Sequence, residues 1–241
     1  MTRLGLLVCG HVHADALDVG GDYPELFGEL FSPFDVELVV YDAVEGALPV
    51  SIDECDGWLT SPSRASVGDD DPWIAELADL ILELVAHERP FAGMCFGHQL
   101  LAVALGGRVE RAPVGWGAGV KSYDVIESRP WMDPPLERFR LIASHEDQVA
   151  ELPSGAVVLA SAGYCPVAAF EIGARAIGIQ AHPEFTIDLS RRLTTLRYDL
   201  MGAETSNAAL ASLDVADAPD AALDRATVAR WIANFLLSVG D

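Results

Sequence analysis

The chain reads as an α/β sandwich on a mixed central sheet, and three observations predict it. Short apolar runs alternate with amphipathic stretches through the first two thirds of the sequence. The order strand, helix, strand, helix calls for parallel pairing, because parallel strands need a long crossover that a helix supplies. Beyond residue 118, strand candidates follow one another too closely for crossover helices, so several of them pair antiparallel.

Residues 4–9 form the first predicted strand, Val36–Tyr41 the second and Gly57–Thr60 the third. Residues 72–87 carry Ile74, Leu77, Ala78, Ile81, Leu84 and Val85 at helical spacing, opened by the acidic run 69–71 and Pro72. Phe91–Met94 is a fourth short strand, and residues 99–105 form a helix ended by Gly106 and Gly107. Residues 119–126, 141–144, 157–161, 168–172 and 176–180 are the closely spaced strands of the later part. Residues 187–201 and 226–237 are helical, and the Ala-, Asp- and Ser-rich stretch 203–222 between them reads as the mobile segment. No boundary appears before about residue 186. We therefore expect residues 1–186 to form one α/β domain and residues 187–241 a helical extension packed on it.

With 241 residues, 51% of them apolar, the chain can bury the core of one domain plus a small appendage. Its formal charge is -22, from 15 basic and 37 acidic residues. Such a surface repels nucleic-acid phosphates and anionic lipid, which argues against either as a general partner. No apolar run approaches the roughly 20 residues of a membrane span. Residues 1–10 lack the features of a signal peptide, so a cytoplasmic location is the default expectation. Cys9, Cys55, Cys95 and Cys165 form no CxxC pair, which speaks against a disulfide or metal framework. His11 and His13 have no partner ligands in view, and the sequence calls for no metal or other cofactor. Trp116 and Trp131 read as core residues in loop-rich sequence.

The segment Gly93-Met94-Cys95-Phe96-Gly97 lies where a strand ends and a helix begins. Flanking glycines let the chain turn sharply and push the cysteine side chain out of the turn, the nucleophile-elbow arrangement with sulfur in place of oxygen. The positive end of a helix favours thiolate, and the N–H groups of its first turn can hold an oxyanion. Cys9, Cys55 and Cys165 lack this setting and read as small buried apolar residues. A thiolate nucleophile benefits from a base, and the base from an orienting carboxylate. His182-Pro183-Glu184 directly follows the strand at 176–180, and Pro183 stiffens the link between the two polar side chains.

The stretches PFAGMCFGHQLLAVALGG at residues 90–107 and QAHPEF at residues 180–185 closely resemble the class I glutamine amidotransferase family. The resemblance runs from about residue 4 to residue 185. It implies a flavodoxin-like sandwich with a mixed, mostly parallel central sheet. It also implies Cys95 as nucleophile, His182 as base and Glu184 as the residue orienting His182. In the segment Asp56–Ser63 the family's oxyanion loop usually ends in Gly-Gly; here Pro62 and Ser63 stand there, so Ser63 and Phe96 are the implied donors. In Ser144-His145-Glu146-Asp147, Glu146 replaces the family's usual glycine. This turn and Gln99 are implied to shape the γ-glutamyl pocket, while His98 and His145 read as scaffold.

The implied reaction is hydrolysis of a γ-glutamyl amide, glutamine to glutamate and ammonia, through a γ-glutamyl thioester. The chain has no G-x-x-x-x-G-K-[ST] loop and no G-x-G-x-x-G after a strand. It thus either hands ammonia to a separate synthetase subunit or works alone. The sequence also resembles stand-alone γ-glutamyl peptidases and GMP synthase-like amidotransferases, the latter including CPVAAFEIG at residues 165–173. A non-catalytic relative that kept the fold is the remaining alternative, against which the intact Cys95, His182 and Glu184 argue.

Overall fold

The computed structural model describes residues 1–217 and 222–238. Its main strands are β1 (Thr2–Leu7), β2 (Val36–Tyr41), β3 (Gly57–Thr60), β4 (Phe91–Met94), β6 (Gly117–Val125), β7 (Arg138–His145), β9 (Val157–Ala162), β10 (Cys165–Ile172) and β11 (Ala176–Ile179). They form a nine-stranded sheet in the order β2-β1-β3-β4-β11-β10-β9-β6-β7. The first five in spatial order, β2 to β11, pair parallel. The remaining four pairings are antiparallel, so β9 and β7 point the same way as those five strands. The sheet is mixed and mostly unidirectional, as the alternating elements predict. β5 (Arg108–Arg111) and β8 (Asp147–Glu151) form a separate antiparallel ribbon that sequence patterning does not reveal.

Helices cover both faces. On one side lie α2 (Tyr23–Phe31), α5 (Ile187–Leu196), α7 (Ala203–Ala216) and α8 (Arg225–Leu237), whose Leu26, Phe27, Leu189, Leu213 and Trp231 share a core with Leu4 and Leu6 of β1. On the other, α3 (Pro72–Ala86) and α4 (Phe96–Ala104) bury Ile81, Leu84, Leu100 and Leu101 against Leu7 and Trp58. The alternation Leu6 to one core, Leu7 to the other is the period of two that a strand buried on both faces requires. The short helices α1 (Leu17–Gly20) and α6 (Tyr198–Met201) complete the set.

α2 is absent from the elements expected on sequence grounds, although its start is well marked. Asp22 caps it, and Glu25 Oε2 accepts from the Asp22 N–H at 2.9 Å, closing a capping box. The predicted helix at 187–201 is two helices, α5 and α6, broken at Arg197. The stretch expected to be mobile is helical up to Ala216; residues 218–221 lie outside the described part. Its polar composition hid a tertiary contact. Ser212 Oγ accepts from the Val120 N–H at 2.9 Å, and Gly119, at φ +76°, lets the Ala209 backbone approach so closely that a Cβ there would lie 2.8 Å from its Cα.

Candidate active site

The carboxyl ends of the parallel strands carry the site, as open α/β sheets favour. Met94 is the last residue of β4 and Phe96 the first of α4, so Cys95 alone makes the turn. Its backbone sits at φ +47°, ψ −94°, a conformation that costs a non-glycine residue of order 1–3 kcal/mol. Hydrogen bonds on both sides hold it there. The Cys95 N–H donates to Ile179 O at 2.8 Å, extending the β4–β11 ladder, and the Met94 N–H donates to Thr60 Oγ1 at 3.1 Å. The turn is tight enough that a Cβ on Gly93 would lie 2.8 Å from the His98 backbone nitrogen and closer still to Gly97. Because those neighbours are backbone and cannot rotate away, Gly93→Ala is expected to cost about 1–3 kcal/mol of stability. Thermal melting beside the wild type checks this, and an unchanged midpoint would contradict the packing described.

Cys95 opens onto a cleft of about 380 Å³ that Ser63, Phe96, Gln99, Ser144, His145 and Glu146 also line. Every residue nominated for oxyanion or substrate contacts therefore faces the same space as the thiol. His182 and Glu184 lie buried behind it, 2% and 0% exposed. His182 Nδ1 is 2.7 Å from Glu184 Oε1, and the Cys95 side chain lies close enough to act on the same imidazole. The backbone N–H of His182 donates to Ile142 O of β7 at 2.9 Å, and the Phe185 ring stacks on the imidazole at 4.2 Å. Burial disfavours charge on this imidazole, but the negative charges of Cys95 and Glu184 outweigh it and push its pKa up to about 10. The shift favours the protonated form of His182.

The other two histidines near the cleft are kept neutral. Burial pushes His98 down to about 4 and, with the charge of His182 adding to it, His145 down to about 3. His98 packs edge-on against Phe170, and His145 faces Asp147 O at 3.2 Å through Nδ1. Both fit the scaffold role. His11 is taken up by Asp22 at 2.6 Å and Asp42 at 3.6 Å. Among the described residues, no group of three or more His, Cys, Asp or Glu gathers as a metal site would require.

Several residues of the site escaped sequence reasoning. Gln180, fully buried, donates from Nε2 to Cys95 Sγ at 3.5 Å and accepts from Gln99 Nε2 at 3.2 Å. Gln99 Nε2 also donates to Asp147 O at 2.7 Å, so a chain of amides joins the thiol to the turn after β7. Arg225 of α8 donates to Pro183 O at 2.9 Å and to Glu184 O at 3.1 Å, fixing the His182–Glu184 turn from the C-terminal helices. Arg64, Arg111, Arg197 and Trp116 line the cleft, so Trp116 is a wall residue rather than pure core, whereas Trp131 packs on Phe235 as expected. Nothing local to the sequence marks Arg197 or Arg225; only the fold brings them in.

Residues 18–194 match the family model described as glutamine amidotransferase class-I. The chain belongs to this family. Among similar proteins, the amidotransferase chain is 28% identical to gamma-glutamyl peptidase 3 of Arabidopsis thaliana over 211 residues, 83% of this chain and 84% of that protein. It is 29% identical to one subunit of the glutamine-hydrolyzing GMP synthase of Halobacterium salinarum over 175 residues, 71% of this chain and 88% of that protein. The crystal structure of a glutamine amidotransferase from Thermotoga maritima superposes with a TM-score of 0.74 at 20% identity, covering 98% of this chain and 96% of that one. Among the described residues, no helix is long and apolar enough to cross a membrane.

Proposed function

We propose that the chain hydrolyses a γ-glutamyl amide, with Cys95 as nucleophile, His182 as proton carrier and Glu184 as the group that orients His182. One observation carries the reading: a cysteine held at positive φ opens on a cleft beside a buried His–Glu pair joined at 2.7 Å. Cys95 Sγ attacks the amide carbon, forming the C–S bond. The carbonyl electron pair moves to oxygen, where the N–H groups of Ser63 and Phe96 receive it. His182 Nε2 gives its proton to the leaving nitrogen as the C–N bond breaks, leaving a γ-glutamyl thioester. The neutral imidazole then takes a proton from water as its oxygen attacks the thioester carbon. The C–S bond breaks, its electron pair returns to Sγ, glutamate is released, and the imidazole keeps that proton for the next turnover. Gln99, Ser144, His145 and Glu146 shape the γ-glutamyl pocket. No cofactor enters these steps.

Glutamine is the substrate of this reading, and a separate synthetase subunit is the acceptor for its ammonia. The similarity to one subunit of a GMP synthase supports that arrangement. We read residues 1–186 as the catalytic domain and residues 187–241 as an extension packed on it, working in the cytoplasm. A second reading, a γ-glutamyl peptidase, draws on the similarity to gamma-glutamyl peptidase 3 and on Glu146, where the family carries glycine. Incubating the protein with glutamine and with glutathione while assaying ammonia, glutamate and free dipeptide separates them. Ammonia release in step with glutamate supports the first; cysteinylglycine released without ammonia supports the second. Neither product from either compound would remove both.

A further inference from the structure

We propose that Arg197 and Arg64 form a carboxylate-recognition site on the wall of the cleft, so that the substrates are γ-glutamyl amides bearing a free carboxylate within its reach. This rests on the reading of the cleft as a γ-glutamyl amidase site. The chain has 37 acidic and 15 basic residues, so a carboxylate is seldom far from a cation. Accordingly Arg3, Arg89, Arg108, Arg129, Arg138, Arg191 and Arg192 each form an ion pair. Arg197 and Arg64 form none among the described residues, although both face the cleft beside Cys95.

Arg197 is partly buried, and among the described residues its guanidinium makes one hydrogen bond, from Nη1 to Ser144 Oγ at 2.9 Å. Burial disfavours its charge and the like charge of Arg64 adds to the penalty, while negative charge at Tyr23 and Cys95 works the other way. A half-buried guanidinium in no ion pair with a carboxylate is costly unless an anion is brought to it. No carboxylate lining the cleft pairs with it: Glu146 and Asp147 sit at 3.4 and 3.8 Å from Arg111, and Asp69 accepts from the Ser66 N–H at 2.8 Å. The cleft thus has carboxylates gathered at Arg111 and two arginines that, among the described residues, form no ion pair.

The backbone fixes where this charge enters. Arg197 occupies the break between α5 and α6 at φ −102°, ψ +14°, three residues past the end of the family match at 194. The guanidinium thus comes from the extension while the thiol comes from the sheet, which lets charge recognition vary without touching the chemistry. A guanidinium suits the task because its planar fork pairs with a carboxylate through two N–H donors.

A γ-glutamyl compound has two possible sources of the anion, the α-carboxylate of the glutamyl end and a carboxylate on the leaving amine. Four substrates separate them: glutamine, its α-carboxamide, γ-glutamylglycine and γ-glutamylethylamide. Arg197→Gln and Arg64→Gln are expected to raise KM about tenfold or more for compounds that present the engaged carboxylate, with kcat largely kept. Amidating or deleting that carboxylate should raise the wild-type KM similarly and abolish the effect of the substitutions. An effect that vanishes with the α-carboxamide assigns the glutamyl end; one confined to γ-glutamylglycine assigns the leaving group. Arg64 is exposed, so its variant carries the test if Arg197→Gln folds poorly. Equal KM changes for all four compounds, or none, would overturn the site. Calorimetric binding of the same compounds to Cys95→Ser protein keeps the two readings apart. Carboxylate-dependent binding without turnover by wild type would sink only the amidase reading; turnover indifferent to both arginines would sink only this one.

Discussion

Cys95→Ala is expected to remove at least about 10⁴-fold of turnover, because on the proposed mechanism it deletes the atom that forms the covalent bond. Cys95→Ser should be nearly as inactive. The raised His182 pKa favours the protonated imidazole, whereas a serine hydroxyl would need that imidazole neutral to give up its proton. Cys9→Ala and Cys165→Ala are the controls. Both side chains are fully buried, and burial raises the thiol pKa well above its usual value at Cys9 and to about 12 at Cys165. Burial raises Cys55 as well. Iodoacetamide at neutral pH should therefore label Cys95 first, since it alone of the four lines the cleft. Turnover assays on the variants and peptide mass spectrometry of the labelled protein read both outcomes. Similar losses at Cys9, Cys95 and Cys165, or faster labelling of Cys55, would contradict the assignment.

Which parts of this arrangement were legible in the sequence follows from how locally each is determined. The elbow was, because a glycine at 93 and at 97 is demanded by a turn that Cys95 makes alone, with Gly93 packed on Gly97 and His98. The His182–Glu184 pair was, because one residue separates them and Pro183 stiffens the link. The strands were found where apolar runs are buried on both faces, as in β3, β4 and β11. β5 and β8 were missed because each is largely open to solvent along part of its length and pairs only with the other, far along the chain. α7 falls in the stretch whose composition predicts mobility, because helix–sheet contacts, not apolar periodicity, hold it. Its small residues Ala209 and Ser212 pack on β6, and composition alone does not reveal what they touch. The same holds for Arg197 and Arg225, which reach the site from helices whose place spacing does not give, whereas Gln180 follows a legible strand and only its side-chain bond to Cys95 is hidden.

Glu184→Gln should slow turnover by about 10²-fold through kcat, with KM little changed, and His182→Ala should cost about 10³- to 10⁴-fold. Glu184 is fully buried and contacts His182 Nδ1 through Oε1, so it acts on the imidazole and not on substrate. A glutamine of the same shape can keep the ring in place but carries no charge to stabilise the imidazolium. The pH profile distinguishes this from a merely structural role. Burial lowers the His182 pKa, and Cys95 and then Glu184 raise it, from 6.5 to about 10 overall. Removing the Glu184 charge takes away one of the raising contributions, so the alkaline limb, where the proton for the leaving nitrogen is lost, should move to lower pH. Stability follows the same sign. A folded-state pKa above the unfolded one gives a contribution fully present below about pH 6.5 and lost as pH rises through about 10. In Glu184→Gln that loss should begin at lower pH. His182→Ala removes the proton carrier altogether, yet Cys95 keeps its place at the head of α4, so a single slow acylation detectable by mass spectrometry is expected to survive. Measuring kcat, KM and the alkaline limb for both variants decides the matter. Wild-type kcat in Glu184→Gln, an effect on KM alone, or an unmoved alkaline limb would mean that Glu184 supports the fold or the substrate and does not serve His182.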